Sequence, residues 1–145
     1  MNAPLYNRDI LRLAASIPYH RRLTDAQASV EKRSATCGSS VTVDVCLDNE
    51  GRVANLGLEV RACALGQASA SLMAAHAMGK TVAELIVARD ALADWLAGKG
   101  GGPDFWPGYD VIAPAREYPA RHPSIRLCFE AIAEAAAIAS EQDGR

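Results

Sequence analysis

The stretch "VTVDVCLDNEGRVANLGLEVR", residues 41–61, decides the fold. Val41, Val43, Val45 and Leu47 alternate with Thr42, Asp44, Cys46 and Asp48, the period of a strand with one face toward a core. "DNEG" turns the chain, and Leu56, Leu58 and Val60 alternate on the way back, so residues 41–61 predict an antiparallel hairpin. Cys46 shares the polar face with Thr42 and Asp44 and reads as a bystander to any chemistry.

Upstream of the hairpin, "AQASVEKRS" reads as a further, half-buried strand, and Tyr6, Ile10, Leu13 and Ile17 fall at the spacing of a short amphipathic helix ending near Pro18. Downstream, "ALGQASASLMAAHAM" has helical composition and stops at Gly79. Thr81 with Glu84 three residues on forms a capping box for a helix that runs to about Gly98. "GKGGGP" is a flexible joint, and the Pro- and aromatic-rich "DFWPGYDVIAPAREYPARHP" is an irregular loop that packs. Ser124 is placed to cap a last helix, in which Ile125, Cys128, Phe129 and Ile132 keep the spacing of one apolar face. These elements predict an α+β fold, a three-stranded antiparallel sheet with helices packed on one face. One domain spans residues 1–145, with an irregular insertion at about 98–123.

Half of the 145 residues are hydrophobic and the net charge is only -2. Such a chain has the material for a core and no basic surface for nucleic acid. The start lacks the charged-then-apolar order of a secretory signal. The uncharged run from Ala62 to Gly79 is long enough for a membrane span, but Gly66, Gln67, Ser69, Ser71 and His76 mark it as a buried helix of a soluble protein, so no membrane partner is expected. A cytoplasmic location follows as the expectation, and in that reducing compartment Cys37, Cys46, Cys63 and Cys128 are reactive, metal-binding or inert rather than disulfide-bonded.

Cys37 precedes a strand, Cys63 lies between a strand's end and a helix's start, and Cys128 sits in the first turns of a helix. Ends of elements are where free backbone amides and side chains from separate segments converge. Cys63 stands at the positive end of its helix, a favourable place for negative charge on sulfur. A trio of thiolates suits zinc or an iron-sulfur cluster. The competing reading is packing: the spacings match no local zinc motif, and Cys128 lies on an apolar stripe.

The span "TCGSSVTVDVCLDNEGRVANLGLEVRACALGQASASLMAAHAMGKTVAEL", with "LYNRDIL" before it and "HPSIRLCFEAI" after it, resembles the IscU, SufU and NifU amino-terminal family of iron-sulfur scaffold proteins. The long segment between "GKT" and Cys128 is similar to an insertion of the SufU branch. The resemblance implies that Cys37, Cys63 and Cys128 converge at one exposed edge, where they accept sulfur from a cysteine desulfurase and hold a transient iron-sulfur cluster, or zinc in its place. Recipient apo-proteins or cluster carriers would be the further partners. It also implies that Cys128 is a mobile, accessible persulfide acceptor.

Three departures accompany the resemblance. Ser39 stands two residues after Cys37 where the family usually has Asp, making it a doubtful fourth ligand. Leu127 replaces the usual Lys or His before the third cysteine, and Ala62 a common Gly before Cys63. Among the histidines, His122 lies nearest in sequence to Cys128, His76 is too far along its helix to join Cys63, and His20 belongs to the basic cluster "YHRRL". Three functions stay open: a cluster scaffold or carrier, a zinc-bearing sulfur acceptor with sulfurtransferase turnover, and a binding module whose cysteines are packing.

Overall fold

A computed structural model describes residues 7–35 and 38–142. Tyr6 and Cys37, both named above, lie outside the described residues. Helix α1 (Arg8–Ala15) is capped by Asn7, whose side chain accepts from the Ile10 N–H, and Ile10 is its buried anchor. Strands β1 (Ala28–Arg33), β2 (Ser40–Leu47) and β3 (Val53–Arg61) form an antiparallel sheet in the order β1-β2-β3. The expected hairpin is present: Val43 faces Leu58 and Val41 faces Val60. Its turn is tied by Asp48 Oδ1, which accepts from the N–H groups of Glu50 and Arg52, while Gly51 supplies the positive φ of +77°.

The layer beside the sheet is helical. Helix α2 (Ala64–His76) ends ahead of Gly79, whose φ is +85°, and α3 (Val82–Leu96) begins with the full Thr81–Glu84 capping box. Helix α4 (His122–Gln142) is the hub, packing on β1, β2, α2 and α3. Among the described residues no helix is long and apolar enough to cross a membrane.

The second face of β2 is covered rather than solvated. Thr42 and Asp44, on the face that the alternation marks as polar, are both buried. The segment preceding β1 lies over Asp44. Arg22 grips Asp44 with two hydrogen bonds (2.8 and 3.1 Å), and the Leu23 N–H and Ser29 hydroxyl complete the carboxylate's partners. Gly57 makes room for this, since a Cβ there would stand 2.5 Å from the Arg21 carbonyl oxygen. Alternation reports side-chain polarity, and a loop that satisfies a buried carboxylate leaves no mark on it.

The segment expected to be an irregular loop contains two 3-10 helices, Tyr109–Glu117 and Pro119–Arg121, because short i→i+3 turns tolerate prolines that an α-helical ladder does not. It packs as expected: Trp106, Tyr109, Ile112 and Ala115 are buried, and Trp106 donates to the Leu72 carbonyl at 2.8 Å. The second of these helices runs straight into α4. The chain is therefore already helical at His122, and Ser124 sits inside the first turn instead of capping it.

Candidate functional site

Cys63 is the N-cap residue of α2, with extended backbone (φ -64°, ψ 169°), and its side chain makes no hydrogen bond to the helix's free N–H groups. Its thiol is half-buried and directed at α4. Because Arg61 pairs with Ser40, the start of β2 and the end of β3 deliver Ser39 and Cys63 to the same end of the sheet. Ser124 joins them from α4. Its Oγ lies 3.4 Å from Cys63 Sγ and 3.1 Å from Ser39 Oγ, and both serines are almost fully buried. Gly66 permits the approach, since a Cβ there would come within 2.6 Å of Ser124 Oγ. The result is a contiguous edge of one thiol and two hydroxyls, each from a different element.

Cys128 takes no part in this edge. It is 1% exposed, its sulfur donates to the Ile125 carbonyl and lies 3.5 Å from Ser69 Oγ, and it belongs to the core between α2 and α4. In this structure, then, the residue that the resemblance made an accessible acceptor is buried. The reason is helical geometry: four residues beyond Ser124, Cys128 lies about 6 Å further along α4, where that face meets the core. Burial pushes its thiol up to about 11, against which hydrogen bonds from Ser69 and Tyr109 act only in part. Tyr109, fully buried and donating to the Ser69 carbonyl at 2.9 Å, is held well above its ordinary value first by burial and then by the neighbouring Cys128.

The other candidates are dispersed. Cys46 lies at the opposite end of β2, about 20 Å from Ser40 at ~3.3 Å per residue, and its sulfur reaches the Asp25 carbonyl. His122 Nε2 is held between the Ala115 and Arg116 carbonyls (3.1 and 3.2 Å). His76 is exposed in the last turn of α2. His20 Nε2 accepts from the Val60 N–H, so part of the exposed "YHRRL" cluster lines the outer edge of β3. Leu127 is core. Ser69, Tyr109 and Ser124 were missed as site-shaping residues. Only Ser124 carried a signal, its i, i+4 relation to Cys128 on one helix face.

Among the described residues this edge holds one cysteine, Cys63. No group of three or more His, Cys, Asp or Glu that could hold a metal ion occurs among the described residues. Hydroxyls are weak ligands for the soft metals that thiolates favour.

The molecule is thus an α+β domain whose chemical edge joins a strand end, a helix start and the first turn of a closing helix. The chain belongs to the NifU-like N terminal domain family, whose model matches residues 5–114. The matched span stops short of α4. The chain is 36% identical to a NifU-like protein (N-terminal) from Brucella abortus, whose crystal structure superposes with a TM-score of 0.87 over 95% of this chain and 96% of that one. It is 26% identical to the iron-sulfur cluster assembly scaffold protein IscU of Thermotoga maritima over 90% of this chain and 92% of that protein. A putative scaffold protein for the SUF system from Fervidobacterium islandicum, 21% identical with a TM-score of 0.84 over 91% of this chain and 96% of that one, shares the fold.

Proposed function

We propose that the chain acts in iron-sulfur cluster assembly as a scaffold or carrier, taking sulfur from a cysteine desulfurase at Cys63 and passing its cargo to recipient apo-proteins or cluster carriers. The observation that carries this reading is the half-buried Cys63 thiol at the N-terminus of α2, free of any helix-capping bond and flanked by the Ser124 and Ser39 hydroxyls. Unpaired N–H groups at a helix start favour developing negative charge, and partial exposure leaves the sulfur open to attack on a protein-bound persulfide. Family membership and likeness to IscU-type scaffolds support the cargo class. Cys37, two residues before Ser39, enters as a second thiol on the strength of the resemblance alone. The zinc-bearing sulfur-acceptor reading has less support, because a closed zinc site wants four good ligands and this edge supplies hydroxyls.

Anaerobic incubation with ferrous iron, cysteine and a cysteine desulfurase tests the proposal. Persulfide mass on the Cys63 peptide and visible charge-transfer absorption are expected in the wild type and lost in Cys63→Ala. If both proteins respond alike, the assignment to Cys63 is wrong; if neither responds, so is the assembly role.

A further inference from the structure

We infer that residue 124, not residue 128, occupies the third ligand position of this edge, and that the serine there makes it a releasing rather than a retaining site for thiophilic metal. The inference rests on the assembly reading above and deepens it by naming the residue that sets how firmly cargo is held.

Geometry comes first. Four ligands around zinc at about 2.0–2.3 Å stand roughly 3.3–3.8 Å from one another. Cys63 Sγ and Ser124 Oγ are 3.4 Å apart, and Ser124 Oγ and Ser39 Oγ 3.1 Å. Ser124 Oγ therefore stands at vertex spacing from Cys63 Sγ and slightly inside it from Ser39 Oγ, which centres residue 124 between the other two donors. Cys128 meets none of these conditions: its sulfur is bonded to the Ile125 carbonyl and approached by Ser69, on the core side of α4. Bringing it to Cys63 would require α4 to rotate or slide by about one turn, against its packing on β1, β2, α2 and α3.

Chemistry comes second. A serine hydroxyl stays protonated at neutral pH and is a hard, weak donor, whereas iron and zinc in cysteine sites are held by thiolate sulfur. With serine at both 124 and 39, Cys63 is the only thiolate source among the described members of the edge. Two hydroxyls where thiolates could stand weaken the hold of this edge on cargo, whatever Cys37 adds on the strength of the resemblance. The serines also hydrogen-bond one another, so the edge is satisfied when empty and costs little to vacate.

The test uses the full chain and zinc alone, with affinity read by competition against a chromogenic chelator. Ser124→Cys is expected to tighten zinc by roughly 100-fold, the order of one added thiolate ligand in a zinc site. Adding Cys63→Ser in that background should remove the gain, and Cys128→Ser in the wild-type background should leave affinity unchanged. A folded Ser124→Cys protein with wild-type affinity overturns the inference, as does any weakening by Cys128→Ser. Should Ser124→Cys fail to fold, the Cys128→Ser titration decides alone. No desulfurase enters this assay, so a protein that fails sulfur transfer yet shows the predicted zinc pattern would sink the assembly role and leave the ligand assignment standing.

Discussion

Cys63 and Ser124 are separated in sequence by α2, α3 and both 3-10 helices, yet Sγ and Oγ stand 3.4 Å apart. Holding them there requires the first turn of α2 to lie against the first turn of α4, and Gly66 is the residue that allows it. A Cβ at position 66 would meet Ser124 Oγ at 2.6 Å and the Ala62 Cβ at 2.7 Å.

Gly66→Ala therefore sets two effects against each other. Helix propensity favours alanine by about 0.5–1 kcal/mol. Overpacking against a buried neighbour costs about 1–3 kcal/mol. The second should win, lowering the melting temperature and separating Cys63 from Ser124. Equal or higher thermal stability would show that α2 and α4 have slack at this point, contrary to the packing described.

Thiol reactivity separates the cysteines. Cys63 and Cys46 are partly accessible, whereas Cys128 is buried and its thiol is pushed up to about 11. At pH 8 the native protein should alkylate at Cys128 roughly 100-fold or more slowly than at an unperturbed exposed thiol, because the thiolate fraction falls tenfold per unit. Peptide mass spectrometry after brief iodoacetamide treatment reads this directly. Comparable labelling of Cys128 and Cys63 would mean that α4 opens readily.

The same shift has a stability consequence with a definite sign. The folded thiol is harder to ionise than the unfolded one, so its contribution is intact below the ordinary thiol value of 9.0 and declines as pH rises from there to about 11. Each unit of that interval is worth about 1.4 kcal/mol. Denaturant midpoints measured between pH 8 and 11 should fall less steeply in Cys128→Ala than in the wild type. Parallel curves would remove Cys128 from the alkaline transition.

What the sequence disclosed and what it concealed follow from the range of the forces. The hairpin was legible because alternation from Val41 to Val60 is a local period, and the Thr81–Glu84 box because both partners lie within one turn. The placing of Ser124 was not, since it depends on the preceding 3-10 turns carrying helical backbone into His122. Cys128 was legible as apolar-face packing. The resemblance to three-cysteine scaffolds pulled the opposite way, and in this structure the register of α4 turns Cys128 into the core. Ser69 and Tyr109 gave no local sign that they would meet Cys128 from two other elements.

Asp44 is the polar linchpin of the covered sheet face. Burial alone would push its carboxyl up, but hydrogen bonds from Arg22, Ser29 and the Leu23 N–H outweigh that and hold it below the usual carboxylate range. A depressed folded value means that the stabilisation is present above the unfolded value of about 3.9 and is lost as pH falls through the folded one. Asp44→Asn removes the charge that Arg22 grips with two bonds and leaves the Arg22, Leu23 and Ser29 donors poorly matched around a buried side chain, at a cost of about 1–3 kcal/mol near neutral pH, the exposed Arg22 keeping it at the modest end. The deficit should shrink as pH drops below about 4, because the unfolded wild-type carboxyl then takes up a proton that the folded one still resists. Urea titrations of both proteins between pH 3 and 7 provide the measurement. A constant gap across that range would mean that shape, not charge, is what Asp44 contributes.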